Sequence, residues 1–241
     1  MISSHSEEHR RQLQQARQAL AARHFDEAAR SFAIAYALNP SPEILLQLAQ
    51  SEQSAEHLEA AILLLRRLQS EGRDPKLAQQ ADTMLLELRP MLGDTEPNQT
   101  QILRGHLDNG KRAFQAQAFS LVLESYALAY SIKRLPRLLF NMAQAARRAN
   151  QLQLALLLYR RLLAEEPNSP VRNEAAGYIA ELEPLVDKPP IYKRPLFWGL
   201  LGGGVAAAAL SIGLGVGLAR RDPSTDGGNL SFHFPSLLQT R

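Results

Sequence analysis

Six histidines and twenty-four carboxylates are the side chains best suited to proton transfer or metal binding in this 241-residue chain, and their spacing assembles no site. His5 and His9 stand four residues apart, the interval that brings two imidazoles to one helix face, but no third ligand accompanies them near the terminus. The carboxylates of Glu165, Glu166, Glu181 and Glu183 fall at expected helix ends or on exposed faces, and nothing sets two of them around a reacting bond. The chain has no phosphate-binding loop, no GxSxG elbow, no HExxH and no dinucleotide fingerprint; the glycine run at 202–204 follows no strand. With no cysteine, disulfides, thiolate metal sites and a cysteine nucleophile are excluded. The residues therefore predict no enzyme, no metal and no cofactor. What they offer is charge and hydrogen-bonding capacity for binding.

The charge is unevenly placed. A net charge of +3 conceals 10 basic against 14 acidic residues in 1–98, 11 against 7 in 99–186, and 6 against 3 in 187–241. The basic residues come without interleaved aromatics or a recognition motif, so nucleic acid is not the expected partner. A composition of 45% apolar and 21% charged residues is that of a folded protein.

The elements that must position these groups follow from an internal repeat with a period of 94 residues. Aligned without a gap, 13–92 and 107–186 share 25 identities in 80 pairs, several times what chance gives, which makes the chain a duplication. Within each copy apolar and small residues recur at helical spacing, as in Phe25, Ala28, Ala29, Phe32 and Ala35, and no segment alternates like a strand. Prolines at 40, 42, 75, 97, 136, 167 and 170 punctuate the pattern, because proline lacks the amide donor a helix interior needs and disfavours helix in the residue before it. The expectation is an all-α chain with five helices per copy, at 8–22, 26–38, 43–54, 58–70 and 76–91 and again 94 residues later.

Residues 136–169, PRLLFNMAQAARRANQLQLALLLYRRLLAEEPNS, resemble a tetratricopeptide repeat (TPR). Leu139 takes the large apolar position, Ala143 the small one, Leu152 and Ala155 open the second helix, Tyr159 supplies its aromatic and Pro167 closes the unit. Asn150 stands where the family usually turns on glycine, and asparagine tolerates a left-handed backbone better than most residues. Residues 42–75 match through Leu45, Ala49, Leu58, Ala61, Leu65 and Leu68, and weaker units precede each of these. The departures are Glu52 at an aromatic position and Arg134 where a proline would close a unit. The resemblance implies a helical-hairpin solenoid divided as 1–98 and 99–186, each copy ending in a capping helix.

Beyond it, a basic, proline-containing linker (187–195) leads to 196–219, 24 residues without a charge, flanked by Lys193, Arg194, Arg220 and Arg221, with Tyr192, Phe197 and Trp198 at one end. That pattern predicts a single transmembrane helix followed by a tail at 220–241. Gly199, Gly203, Ala207, Ser211 and Gly215 recur at every fourth position, a stripe through which membrane helices associate, so a homo-oligomer is one expectation and a membrane-organising role the alternative function. The first residues contain no apolar signal core, which predicts a cytoplasmic repeat domain; a missing upstream signal would make it periplasmic. The architecture resembles single-pass bacterial envelope TPR proteins.

In the TPR family the first helix of each repeat lines a concave groove. Carried onto this sequence, the second copy's groove comprises Arg104, Lys111, Phe114, Arg137, Phe140, Asn141, Gln144, Arg147 and Arg148. Some members clamp a chaperone's C-terminal carboxylate with lysines and asparagines; Asn141 matches one of these, but Leu107 and Lys111 occupy two others with the wrong chemistry. The resemblance thus implies a membrane-anchored scaffold whose basic second groove takes an acidic or extended protein segment without a dedicated carboxylate clamp.

Overall fold

The computed structural model describes residues 2–71, 74–93 and 95–186, and among these it is all-helical. The first copy comprises α1 (Ile2–Ala21), α2 (Phe25–Leu38), α3 (Pro42–Ser54), α4 (Leu58–Glu71) and α5 (Pro75–Leu92). The second comprises α6 (Gln99–Gln115), α7 (Phe119–Ile132), α8 (Pro136–Arg148), α9 (Leu152–Glu165) and α10 (Arg172–Val186). Proline occupies the first turn of α3, α5 and α8, where its missing amide costs nothing. Ser41, Asp74 and Asn98 cap α3, α5 and α6 by accepting from the backbone amides of Ile44, Lys76 and Gln101. The largest departure from expectation is α1, which begins at Ile2, not near residue 8.

Consecutive helices pack on one another within each copy, and the α1–α2, α3–α4, α6–α7 and α8–α9 turns each pass through one residue with a left-handed backbone: Arg23, Glu56, Gln117 and Asn150, with φ between 57° and 65°. The turn positions recur 33 residues apart within a copy and 94 between copies, so one backbone solution serves four sequences. Asn150 fits the expectation for such a turn; the other three are residues that pay a steric cost there. The core is built from large side chains spaced by small ones: Phe32, Tyr36, Leu48, Leu65, Tyr126, Leu139 and Tyr159 are buried among Ala28, Ala33, Ala49, Ala61 and Ala143. At Gly110 even a methyl group would collide with the Tyr126 ring, so the α6–α7 crossing depends on the absence of a side chain.

The copies do not stack end to end. Instead α2 packs on its counterpart α7, α4 touches α7 as α9 touches α2, and α4 meets α6 as α9 meets α1. Exchanging the two copies leaves this set of contacts unchanged, the pattern of an isologous, pseudo-twofold pairing enclosed within one chain. The expectation was a helical-hairpin solenoid of two copies, each ending in a capping helix, with no arrangement given for the copies. Helix α2 still packs on α3, and α7 on α8, as adjoining hairpins do, while α2 and α7 also pack on each other across the copies.

The membrane localisation expected from the sequence is corrected by the helices themselves. Among the described residues no helix is long and apolar enough to cross a membrane. Even the 20-residue α1 carries Glu7, Glu8, Arg10, Arg11 and Arg17. The linker 187–195, the segment 196–219 with Gly199, Gly203, Ala207, Ser211 and Gly215, and the tail 220–241 lie outside the described residues. Neither the cytoplasmic nor the periplasmic placement built on that segment is retained.

Candidate functional site

Helices α6 and α8 place the nine groove residues, and the structure sorts them by exposure. Arg104 and Lys111 on α6, and Arg137 and Arg148 on α8, are exposed; Phe140, Asn141 and Gln144 are buried. Arg137, Asn141, Gln144 and Arg148 follow one another at intervals of four, three and four residues, so they form a single stripe along α8, charged at both ends and amide-bearing in the middle. Neither the amide nitrogen nor the amide oxygen of Gln144 has a hydrogen-bond partner, although the side chain is only 2% exposed. A buried amide left unpaired costs free energy.

Phe114 and Phe119 meet edge to face at 6.1 Å, and the Arg148 guanidinium sits over both rings, 5.7 and 5.3 Å from their centroids. This cation–π seat joins the C-terminal end of α8 to the α6–α7 turn and holds Arg148 in place while leaving it exposed. Arg147 is engaged otherwise. Its guanidinium lies 4.4 Å over the Tyr178 ring and 3.4 Å from Glu181, both on α10. Tyr178 also stacks on Tyr159 at 5.3 Å and reaches Phe140 at 6.5 Å, so α10 covers that end of the second copy. The exposed basic residues of α6 and α8 expected to line the groove are Arg104, Lys111, Arg137 and Arg148.

In the first copy the corresponding stripe reads Glu43, Gln47, Gln50 and Ser54, with Gln50 exposed. The two copies share a backbone but present opposite charge, and only the second buries the middle amide.

A second set of polar residues, absent from the expected groove, sits where the copies meet. The Tyr130 hydroxyl donates to Glu165 at 2.7 Å, and Arg134 and Arg161 reach the same carboxylate at 2.5 and 2.6 Å. Burial pushes the Glu165 carboxyl up, but these donors outweigh it and hold it below the ordinary value. The counterpart cluster joins Tyr36, Arg67 and Glu71, with the Tyr36 hydroxyl 2.9 Å from Arg67; burial pushes that phenol up to about 12. Arg67 also crosses to the other copy, donating to the backbone carbonyls of Tyr130 and Ser131 in the last turn of α7, where a cation complements the helix dipole. The signal for these residues was in the sequence: tyrosine, arginine and glutamate recur unchanged 94 residues later.

No family model matches the chain, and no curated protein matches it. Among solved structures it is similar to the TPR2AB-domain:pHSP90 complex of yeast Sti1, at 17% identity and a TM-score of 0.32, over 75% of this chain and 85% of that one. At that degree of overlap the fold rests on the helix pairing described above.

Proposed function

We propose that the protein is a TPR-like scaffold that binds acidic or extended protein segments along the α6–α8 face of its second copy. The observation that carries this reading is the α8 stripe. Two exposed guanidinium groups, Arg137 and Arg148, flank the buried, unpartnered amide of Gln144. Arginine suits forked contact with carboxylates. Arg104 and Lys111 widen the positive field on the facing helix. No catalytic constellation competes with this reading among the described residues.

The test is fluorescence anisotropy with a labelled decapeptide alternating glutamate and leucine. Tight, salt-sensitive binding is expected, weakened about tenfold by Arg137→Ala and again by Arg148→Ala, as each removes an interaction worth about 1–2 kcal/mol. Glu43→Ala on the first copy is the control and should leave it unchanged. Equal binding by the wild type and both second-copy variants would dismiss the face.

A further inference from the structure

The α4–α6 seam between the copies contains a cleft of about 550 Å³ whose chemistry its twofold-related counterpart lacks. Its walls are apolar, formed by Leu58, Leu92 and Ile102 among others, and its titratable lining is Glu52, Glu56, His57, Glu59 and His106. No lysine or arginine lines it. Glu52 on α3 is 3% exposed, and its carboxylate oxygen lies 2.8 Å from His57 Nδ1. Asp26 on α2 faces the same nitrogen at 3.8 Å. His106 enters from α6.

At the matching seam between α1 and α9 these positions are held by Ala146, Gln151 and Gln12, none of which titrates near neutral pH. The fold thus accepts neutral side chains at this place. At these three positions one seam has a carboxylate and two imidazoles and the other has neither, although the α1–α9 seam carries carboxylates elsewhere, among them buried Glu8 bonded to Gln12.

We infer that the α4–α6 seam is a proton-operated latch, firmest when His57 carries a proton and His106 does not. A charged His57 supplies the cation that the buried Glu52 carboxylate otherwise lacks, and losing that proton strands a buried anion. A second proton, on His106, would bury another cation in the same cleft. The two rings are biased accordingly: the Glu52 hydrogen bond pushes His57 above the ordinary histidine value of 6.5, while burial pushes His106 below it.

The two shifts act in opposite directions on stability. For His57, bound more tightly in the folded state, the stabilisation is full below 6.5 and is lost as pH rises through the folded value. For His106 the unfolded chain binds the proton more readily, so stability falls as pH drops below 6.5. The latch is therefore strongest near 6.5 and weakens on both sides. Since α6 also presents Arg104 and Lys111, loosening it would disturb the proposed peptide face; that last link rests on the proposed function, and the test below does not.

The test follows the melting temperature of the full chain from about pH 5 to about pH 8, the span over which histidine titrates, together with imidazole NMR titrations. The expected result is a maximum near the ordinary histidine value, with His57 titrating above it and His106 below. His106→Gln should remove the acid-side fall and His57→Gln the alkaline-side fall, each importing the residue found at the matching position of the other seam. Both rings titrating together, or both falls persisting in the double variant, would overturn the latch. If a variant fails to fold, the wild-type imidazole titrations decide alone.

Discussion

Tyr36 and Tyr130, the same residue 94 positions apart, face each other across the copy-to-copy seam with ring centroids 6.3 Å apart and planes inclined at 53°. Both are fully buried, one on α2 and one on α7, and each hydroxyl points to a glutamate of its own copy. A residue that meets its own repeat lies close to a twofold axis, so this pair marks where the two copies turn about each other. Aromatic contact at this spacing and tilt adds to the stabilisation from burial.

The two hydroxyls are not equally committed, and that difference is measurable. Tyr130 donates at 2.7 Å to Glu165, whose side chain is 11% exposed, whereas Tyr36 donates at 3.3 Å to Glu71, which is 42% exposed, and accepts at 2.9 Å from Arg67, which keeps Glu71 and two backbone carbonyls as partners without it. Tyr130→Phe is expected to cost about 1–2 kcal/mol in urea denaturation, and Tyr36→Phe less. Truncation to alanine leaves a cavity on the axis, and either Tyr→Ala change should cost about 3–5 kcal/mol. Equal costs for the two phenylalanine variants would contradict the asymmetry.

Arg30 and Glu124 occupy another pair of equivalent positions, and they form a 3.0 Å ion pair across the same seam. Pairing two first copies would oppose arginine to arginine, and two second copies glutamate to glutamate, so the charge selects the mixed arrangement. With side chains 37% and 30% exposed, the pair is screened by solvent and its coupling should be about 0.5–1 kcal/mol. Arg30→Glu and Glu124→Arg should each destabilise, and the double exchange should recover most of the loss. Additive losses in the double variant would show that the pair is not coupled.

Helix extents were the most legible part of the sequence, because proline and the apolar period mark them chemically: α2, α3, α4, α7, α8 and α9 begin and end within a residue or so of expectation. The mutual arrangement of the copies was not legible from the same signals. Apolar periodicity shows which face of α2 is buried but not what covers it, and a repeated unit has an identical apolar face for stacking or for twofold pairing. The information lay in polar residues. Tyr36, Arg67 and Glu71 recur as Tyr130, Arg161 and Glu165, and unchanged polar residues in diverged copies are costly to bury unless they find partners. For the candidate face, the sequence located the basic residues of α6 and α8 but did not separate exposed arginines from buried Phe140, Asn141 and Gln144, since that depends on depth along a helix face. It also could not show that Arg147 is taken by Tyr178 and Glu181.

Gly110 tests how tightly the second copy is built. At the equivalent position the first copy has Ala16, facing a helix that carries Phe32 where the second copy carries Tyr126. A methyl group on Gly110 would lie 2.3 Å from Tyr126 Cε1, so Gly110→Ala should cost about 1–3 kcal/mol despite alanine's better helix propensity. Adding Tyr126→Leu, which clears the space, should recover part of that cost. A stabilised Gly110→Ala protein, read from its melting temperature, would show that the crossing is looser than described.

Glu165 governs the acid side of stability away from the histidine seam. Burial favours its neutral form, yet hydrogen bonds from Tyr130, Arg134 and Arg161 keep its carboxyl below the ordinary 4.5 when folded. A depressed carboxyl contributes stability that is present above the unfolded value and is lost as pH falls through the folded one. Removing a donor narrows that interval. Arg134→Ala should therefore move the acid-unfolding midpoint to higher pH and cost about 0.5–1 kcal/mol at neutral pH, a figure limited by the 36% exposure of the arginine side chain. Arg161 reaches the same oxygen at 2.6 Å and is 26% exposed, so Arg161→Ala should shift the midpoint at least as far. An unchanged midpoint in both variants would mean that Tyr130 alone holds the carboxylate.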